Sequence, residues 1–434
     1  MNRWLVAGGA ILIQLALGAV YTWSLFTTRL EAGVETGGYG FTPVQTQGVF
    51  CAGLAAFALV MLYAGQLQVR IGPQKVAMLG GAVLGIGYIL GGLLGKTFIM
   101  QLICIGIIGG AGIGLAYIVP IAVGVKWFPD KKGLMTGLSV AGFGFGATIW
   151  VKFGDSWIWD GGLMAQAEGL FGLSGVQAVY LIYGLCFLAL VFLGSLVMVN
   201  PPDGWKPSGW NPGALAGNNS RNAQGADLMP AAMVRTAQYW GLLLIFTGSG
   251  MAGLMVIGCI KLFGQDSLLA NGVFDDPAKA GQAAGTAMAF LAILNGLGRI
   301  CWGTISDKLG RKTSLFLMCL GQGIIMLFFF RLGASKIGLI VGACIIGFNY
   351  GGIFALFPAA TADFFGNKNL GRNYPFVFLA YGIAGIAGPQ IAAYIRVQAG
   401  GHAQAWSTPF LIAGIACLVA AGLSLLLKPP RPAV

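Results

Sequence analysis

One arginine stands inside a long apolar run of the chain, away from any loop. Arg299 lies in the run from Gly281 to Trp302, and Asn295 precedes it by four residues. A charged side chain in hydrocarbon costs about 2.5–3.5 kcal/mol on insertion scales, so such residues usually face a polar cavity. A guanidinium fits a carboxylate through two hydrogen bonds, and Asn295 lies on the same helical face. The sequence therefore predicts an anion site at Arg299; the alternative is that Arg299 extends to the membrane surface or pairs near Asp307.

Tyrosines in four other apolar runs offer hydroxyl groups to the same site. They are Tyr21, Tyr117, Tyr350 and Tyr381. A phenol can donate or accept a hydrogen bond, so these groups would complete a small polar site around the arginine. The alternative for each tyrosine is that it packs between helices with its hydroxyl satisfied there.

The remaining polar residues argue against catalytic and metal chemistry. All 13 acidic residues lie in loops or at the ends of apolar runs, the eight cysteines lie inside apolar runs, and the one histidine, His402, lies in a polar stretch. The apolar runs contain no paired carboxylates, no nucleophile with its base and no Cys/His ligand set. We therefore expect neither an enzyme nor a metal site, and no cofactor.

The composition identifies the solvent that surrounds these elements. Apolar residues make up 57% of the 434 positions, charged residues only 9%, and the mean hydropathy is +0.81. Soluble domains carry about 25% charged residues, and here the deficit runs along the whole chain. The basic residues behind the net charge of +12 are scattered through short loops rather than clustered, which argues against nucleic acid as a partner. A lipid bilayer is the predicted environment.

Apolar runs of about 20 residues are long enough to cross the hydrocarbon core. Twelve are predicted, at Trp4 to Thr27, Val44 to Gln66, Val76 to Gly95, Phe98 to Val125, Leu134 to Lys152, Val179 to Val199, Tyr239 to Leu262, Gly281 to Trp302, Thr313 to Arg331, Ile337 to Thr361, Phe376 to Ile395 and Ser407 to Leu427. The predicted fold class is thus an all-α membrane protein with twelve transmembrane helices.

The chain also repeats itself. GQLQVRIGPQK, from Gly65, and GTISDKLGRK, from Gly303, begin 238 positions apart. The same separation relates Gly114 to Gly352, Pro120 to Pro358, Gly133 to Gly371 and Gly144 to Gly382. Such a repeat predicts two pseudo-symmetric bundles of six helices. We place the first bundle at residues 1–199, a Pro/Gly/Asn-rich linker at 200–238 and the second bundle at 239–434.

The loops predict the orientation of the protein. Most loop lysines and arginines fall on the side that holds both termini. The positive-inside rule then places both termini in the cytoplasm of a multi-pass protein in a plasma membrane of the bacterial inner-membrane type. A monomer is the simplest expectation, because the two bundles enclose their own pathway.

The two repeated loops resemble the G-x-x-x-D-[RK]-x-G-[RK]-[RK] loop of the major facilitator superfamily. The second copy is nearly complete, and its Asp307 stands where ion pairs would form in one conformation and break in the other. In the first copy Val69 replaces the acid, which leaves Arg70 without that partner. The residues expected to gate are Arg70, Lys75, Asp307, Lys308 and Arg311.

Other stretches resemble the oxalate:formate antiporter family and its monocarboxylate-transporting relatives. They are GAVYTWSLF from Gly18, KWFPDKKG from Lys126, NGLGRICWG from Asn295 and ALFPAATADFFG from Ala355. The resemblance implies that Arg299 is the substrate-binding arginine and that Tyr21 and Tyr117 contact substrate. Where the oxalate carriers have a second cation, a lysine, this chain has Tyr381. One buried cation suits one carboxylate.

These observations together predict a secondary transporter of a small monocarboxylate such as lactate, pyruvate, glycolate or formate. Alternating access would proceed as anion exchange or as proton symport, so protons or a counter-anion are the expected coupling partners. Glu31 and Asp363, at helix ends, are possible proton carriers. Two alternatives stay open: a facilitator that exports drugs or carries a neutral nutrient, with a structural Arg299, and a membrane sensor that binds without transporting.

Overall fold

The computed structural model describes residues 2–155, 162–202, 205–207, 227–398 and 403–428. Within them, 12 helices are long and apolar enough to cross a membrane, which confirms the predicted fold class. In chain order the spans comprise Arg3–Leu17 with Gly18–Thr22 and Trp23–Glu31, Pro43–Ile71, Pro73–Leu94, Phe98–Gln101 with Leu102–Gly109 and Gly110–Trp127, Lys132–Asp155, Gly175–Ser195, Ala237–Ala270, Pro277–Leu309, Arg311–Leu332, Lys336–Phe365, Leu370–Gln398 and Ser407–Leu426. Short helices between them are Val34–Thr36, Gly162–Gln166, Leu170–Gly172, Pro230–Met233 and Ala403–Trp406.

We call spans one to six the first half and spans seven to twelve the second half. The terminal side is the side where the first span begins and the twelfth ends, and the other side is the opposite side. Of the predicted linker 200–238, residues 203–204 and 208–226 lie outside the described part of the chain. The boundary between the predicted domains therefore stays a prediction.

The turns of the two repeated loops have the same backbone. Gly72, between the second and third spans, has φ 90° and ψ 152°, and Gly310, between the eighth and ninth, has φ 84° and ψ 158°. Residues with a Cβ rarely adopt this conformation. The second glycine of each loop therefore allows the chain to reverse within one residue, which brings the ends of consecutive spans together on the terminal side.

Two spans that carry candidate site residues are irregular. The first span has 3-10 geometry at Gly18–Thr22, which includes Tyr21. A Cβ on Gly18 would collide with the carbonyl oxygen of Phe143 in the fifth span, so glycine allows the two backbones to approach. The fourth span contains a π-helical stretch at Leu102–Gly109, which ends about two turns before Tyr117. Local winding of this kind often occurs at functional sites.

The halves meet most extensively along two pairs of helices, the fifth span against the eighth and the second against the eleventh. Each pair has a glycine contact on the terminal side. A Cβ on Gly303 would lie 2.5 Å from the Gly133 carbonyl oxygen, and a Cβ on Gly65 would collide with the Gly371 carbonyl oxygen. These are equivalent positions of the repeat. The repeat read from the sequence is thus visible as two matching contacts between the halves.

Candidate functional site

Arg299 points from the eighth span across the interface between the halves. Its side chain is fully buried. Nη1 donates a hydrogen bond of 2.7 Å to the Val140 carbonyl oxygen of the fifth span, and Nε donates one of 3.1 Å to Oδ1 of Asn295. Asn295 thus orients the guanidinium from one turn away, as its spacing indicates. In this conformation Arg299 neither reaches the surface nor pairs with Asp307, whose carboxylate bonds elsewhere.

Two phenylalanine rings, one from each half, flank the guanidinium. Its central carbon lies 4.1 Å from the ring centroid of Phe354 and 5.1 Å from that of Phe143. Cation–π contacts of this kind contribute about 0.5–2 kcal/mol, more when the cation is desolvated. They do not cancel the charge. Among the described residues the hydrogen-bond partners of Arg299 are neutral, so the site keeps a net positive charge.

Several buried groups around Arg299 have no hydrogen-bond partner among the described residues. They are Nη2 of Arg299, Nδ2 of Asn295 and the hydroxyl groups of Tyr117 and Tyr374. The two tyrosines lie within electrostatic reach of the arginine. A buried donor without a partner costs about 1–3 kcal/mol, so the arrangement is costly unless acceptors are supplied. All four groups can donate a hydrogen bond, so an anion with several lone pairs is a suitable ligand for this site.

Three of the predicted tyrosines join the halves through their hydroxyl groups. Tyr21 lies 2.9 Å from Tyr350, and Tyr381 donates to Tyr21 over 3.3 Å. All three are buried. The fourth, Tyr117, is not part of this chain of hydroxyls; its ring packs edge-on against Phe57 and Phe143. The structure therefore brings all four tyrosines into one aromatic cluster with Arg299. Three of them bond to one another through their hydroxyl groups, and the hydroxyl of the fourth has no partner among the described residues.

The space beside the site is closed. A cavity lined by Tyr21 and Asn295, together with apolar side chains of both halves, has a volume of ≈ 10 Å³. A single water needs about 10–15 Å³ measured in this way. A carboxylate would therefore require the surrounding helices to move apart, and this conformation is one in which the two halves have closed around the site.

The predicted gate residue Asp307 bonds across the halves on the terminal side. Its Oδ2 accepts a hydrogen bond of 3.2 Å from the backbone N–H of Leu134, in the first turn of the fifth span, and its Oδ1 pairs with Nη2 of Arg311 at 2.9 Å. Arg311 also pairs with Asp363 at 2.7 Å and bonds to Ser306. An acid of the second half thus caps a helix of the first half.

The other predicted gate residues are placed differently. Arg70, Lys75 and Lys308 are exposed, and the ion pairs found among the described residues do not include them. In the first copy of the loop, where Val69 replaces the acid, Gln68 donates instead to the Gly371 carbonyl oxygen over 3.4 Å. The two copies of the loop therefore contact the other half through different bonds.

Some groups at the site were not predicted from the sequence. Phe143 and Phe354 lie among many other phenylalanines, and no local pattern indicates which of them meet a cation. Tyr374 carries no motif that separates it from the chain's other tyrosines. The Val140 carbonyl could not be foreseen either, because a backbone acceptor inside a helix becomes available only through the angle at which another helix approaches it.

Comparison with known proteins agrees with the fold and the motifs. The model of the Major Facilitator Superfamily matches residues 4–389 and 278–434. The chain is 30% identical over 392 residues, 89% of its length and 86% of the relative, to the uncharacterized MFS-type transporter YhjX of Escherichia coli. It is 26% identical over 430 residues, 99% of its length and 92% of the relative, to the oxalate:formate antiporter of Oxalobacter formigenes.

A eukaryotic relative and a solved structure extend the comparison. The chain is 26% identical to apicoplast pyruvate carrier 1 of Toxoplasma gondii, over 87% of its own length and 81% of that protein. The structure of the proton:xylose symporter XylE bound to 6-bromo-6-deoxy-D-glucose superposes with a TM-score of 0.65 at 14% identity and covers 96% of this chain and 94% of that one. At that identity the likeness concerns the fold alone.

Proposed function

The chain belongs to the Major Facilitator Superfamily, and from this premise we propose that it carries a small monocarboxylate across the plasma membrane by alternating access. The superfamily match confirms the resemblance read from the loop motifs, and it identifies the protein as a secondary transporter rather than an enzyme. The cargo, its site and the mode of coupling belong to the proposal.

The observation that carries the proposal is the uncompensated charge of Arg299. The guanidinium is fully buried and bonded only to neutral oxygens among the described residues. Its Nη2 and the nearby donors of Asn295 and Tyr117 have no acceptor there. A carboxylate supplies both the missing negative charge and the missing lone pairs, and the planar guanidinium can hold both of its oxygens.

The number of buried cations favours one carboxylate over two. Arg299 is the fully buried cation of the cluster, and the position where the oxalate carriers have a second cation holds Tyr381, whose hydroxyl bonds to Tyr21. A dianion in this site would retain an unpaired negative charge, which is costly in a dry interior. Relatives named for oxalate, formate and pyruvate support the carboxylate class. Lactate, pyruvate, glycolate and formate are the candidate cargoes.

Movement of the halves would expose the site to each side in turn. In this conformation Asp307 holds the terminal side closed, and Arg299 itself bonds across the interface to Val140. A bound carboxylate would take over donors of Arg299 and so reduce its dependence on that carbonyl. We place both termini in the cytoplasm and treat the protein as a monomer. Exchange of anions and symport with protons both fit this site.

The test is uptake of labelled lactate, pyruvate, formate and oxalate into proteoliposomes, with trans-side anion or with a pH gradient. Arg299→Ala is expected to abolish saturable uptake. Arg299→Lys should weaken it strongly, because lysine keeps the charge but lacks the planar guanidinium that bonds both oxygens of a carboxylate. Arg331→Ala, at an exposed arginine, is the matched control and should transport normally.

The outcomes separate the proposal from its alternatives. Full carboxylate uptake by a folded Arg299→Ala protein would refute the role of this arginine. If the unmodified protein moves no carboxylate under any gradient, a drug or neutral nutrient becomes the better cargo. Binding that depends on Arg299 without any flux would instead favour a sensor.

A further inference from the structure

A second and larger cavity opens between the halves on the opposite side. Its volume is ≈ 320 Å³, and we call it the opposite-side pocket. Glu31, Pro43 and Gln47 line it from the first half, and Leu262, Arg396 and Trp406 are among the residues that line it from the second half. Because its walls belong to both halves, the pocket must shrink whenever a transporter of this fold closes its opposite side.

Glu31 is the acid that this closure would bury. It is the last residue of the helix Trp23–Glu31, beyond Thr27, where the segment long and apolar enough to cross a membrane ends, and its side chain is already partly buried. Its Oε1 has no hydrogen-bond partner among the described residues, although the carboxyl also interacts with the Thr46 hydroxyl. Oε1 of the neighbouring Gln47 also lacks a partner in the described part of the chain. The first half therefore presents to the pocket two acceptor oxygens that have no hydrogen-bond partner among the described residues.

The cation that faces Glu31 already has an acidic partner, although its Nε has no hydrogen-bond partner among the described residues. Nη2 of Arg396 pairs with Asp266 at 3.2 Å, the same carboxylate accepts a hydrogen bond of 3.0 Å from Nε1 of Trp406, and the guanidinium lies 5.5 Å from the centroid of that indole ring. Arg396 acts on Glu31 from across the pocket without forming an ion pair with it in the described contacts. A closing pocket would bury Glu31 next to a cation whose charge Asp266 already balances.

Other ionisable groups on the packed elements do not change this balance. The neighbouring end of the seventh span carries Lys261 besides Asp266, the fifth span carries Lys152, and the segment of Glu31 itself carries Arg29 and Glu35. Among the described residues, Arg396 is the charged group that acts on the Glu31 carboxyl. The polar side chains at the start of the second span, Thr46 and Gln47 among them, are neutral. The one histidine, His402, falls outside the described residues and must be removed in any test.

We propose that Glu31 is a proton-binding site of the opposite-side pocket and that a proton must occupy it before the pocket can close. Closure with an ionised carboxylate would bury a charge that Arg396 cannot compensate, whereas a protonated carboxyl donates a hydrogen bond, and the unpaired Gln47 oxygen lies on the same wall. Protonation also removes a negative charge from the entrance that an anion would use. The inference depends on alternating access and holds for any cargo.

The electrostatics of Glu31 favour the same direction. Burial raises the pKa of its carboxyl above the usual range, and Arg396 and the Thr46 hydroxyl offset part of that increase. Closure would bury the group further and raise its pKa again, so protons bind more tightly to the closed pocket. By linkage, lowering the pH must favour closure, and the response must lie at higher pH than for an ordinary glutamate, whose pKa is about 4.3.

The experiment measures the distance across the pocket with spin labels at Val44 and Val273, which are exposed positions on the first and second halves. The background carries His402→Ala and no native cysteines. Between about pH 8 and about pH 5, the population of short distances should rise. The ratio of closed to open pockets should increase roughly tenfold for each unit by which closure raises the pKa of Glu31. Glu31→Gln, which mimics the protonated form, should be closed at both pH values. Glu31→Asp should keep the response.

Glu35→Gln, at an exposed acid of the same segment, is the matched control and should behave as the parent protein. A pH response that survives in Glu31→Gln would overturn the inference, as would a parent protein without any response. Closure at high pH would also overturn it, since ionised Glu31 would then recruit Arg396 across the pocket. None of these measurements uses a transported carboxylate. Failure of this inference would therefore leave the proposed monocarboxylate cargo untouched.

Discussion

Replacement of Asp307 by alanine tests whether one acid holds the terminal side closed. Asp307 belongs to the second half, but its Oδ2 accepts from the Leu134 N–H of the first half at 3.2 Å. That bond satisfies one of the free N–H groups at the start of the fifth span and places a negative charge at the positive end of its helix dipole. Rocking of the halves must break this bond. The intact bond therefore stabilises the conformation that is closed on the terminal side.

The size of the effect can be worked out from these contacts. Loss of a capping side chain costs about 0.5–2 kcal/mol. The pair with Arg311 is partly exposed, with 32% exposure at Asp307, and lies within one half, so screening makes it worth little here. Only the bond between halves changes the conformational equilibrium directly. Asp307→Ala should therefore shift the equilibrium by about 0.5–2 kcal/mol, which is roughly 2- to 30-fold, toward the conformation open on the terminal side.

The assay is a spin-label distance between Val69, in the second span, and Lys368, in the loop after the tenth span. Both residues are exposed and lie on the terminal side, in opposite halves. Long distances should become more populated in Asp307→Ala. The matched control is Asp130→Ala, because Asp130 pairs with Arg3 at 3.0 Å inside the first half alone and its loss should leave the distance unchanged. An unchanged distance in a folded Asp307→Ala protein, or an equal change in both variants, would refute the reasoning.

Two further predictions concern close contacts and the site. Gly133→Ala would place a Cβ against the Asp307 carboxylate and 2.6 Å from the Gly303 carbonyl oxygen, so it should open the terminal side in the same distance measurement; Gly285→Ala, where nothing lies within 4 Å of a Cβ, should not. Tyr117→Phe should weaken carboxylate binding about tenfold, as expected for a hydrogen bond to a charged group, and leave the melting temperature unchanged because the hydroxyl has no partner in the described structure. Tyr183→Phe, which removes a donor to the Trp150 carbonyl, should lower the melting temperature and leave carboxylate binding unchanged. A lower melting temperature with unchanged affinity in Tyr117→Phe would contradict a role of the Tyr117 hydroxyl in binding.

The sequence by itself predicted the features that depend on composition and local spacing. Apolar runs of the right length predicted the twelve spans, because a bilayer requires each crossing segment to be apolar and to satisfy its own backbone. The repeat of 238 positions predicted two pseudo-symmetric bundles, and the contacts of Gly303 with Gly133 and of Gly65 with Gly371 occupy equivalent positions of that repeat. Arg299 could be singled out for the same reason, since one charge inside an apolar run needs no structure to be noticed. Its binding role stays a prediction.

Only the tertiary structure decided which groups meet around that charge. Four groups meet there from other positions in the chain: the Val140 carbonyl, the rings of Phe143 and Phe354, and the hydroxyl of Tyr374. Their meeting depends on how the fifth, tenth and eleventh spans cross the eighth. The structure also distinguished Tyr21, Tyr350 and Tyr381, which bond to one another, from Tyr117, which has no partner in the described part of the chain. Sequence spacing cannot separate these cases, because hydrogen bonding is decided by distances between helices.

The same holds for the two acids that the sequence left as possible proton carriers. Asp363 and Glu31 both stand at helix ends and look alike in sequence. In the structure Asp363 is paired with Arg311 at 2.7 Å, whereas Glu31 lines a cavity between the halves with an oxygen that has no hydrogen-bond partner among the described residues. Which side is closed, and which acid lacks an ion pair among the described residues, are properties of one arrangement of the two halves. A sequence that must serve every conformation of the transport cycle does not specify a single one, so only the folded structure could show it.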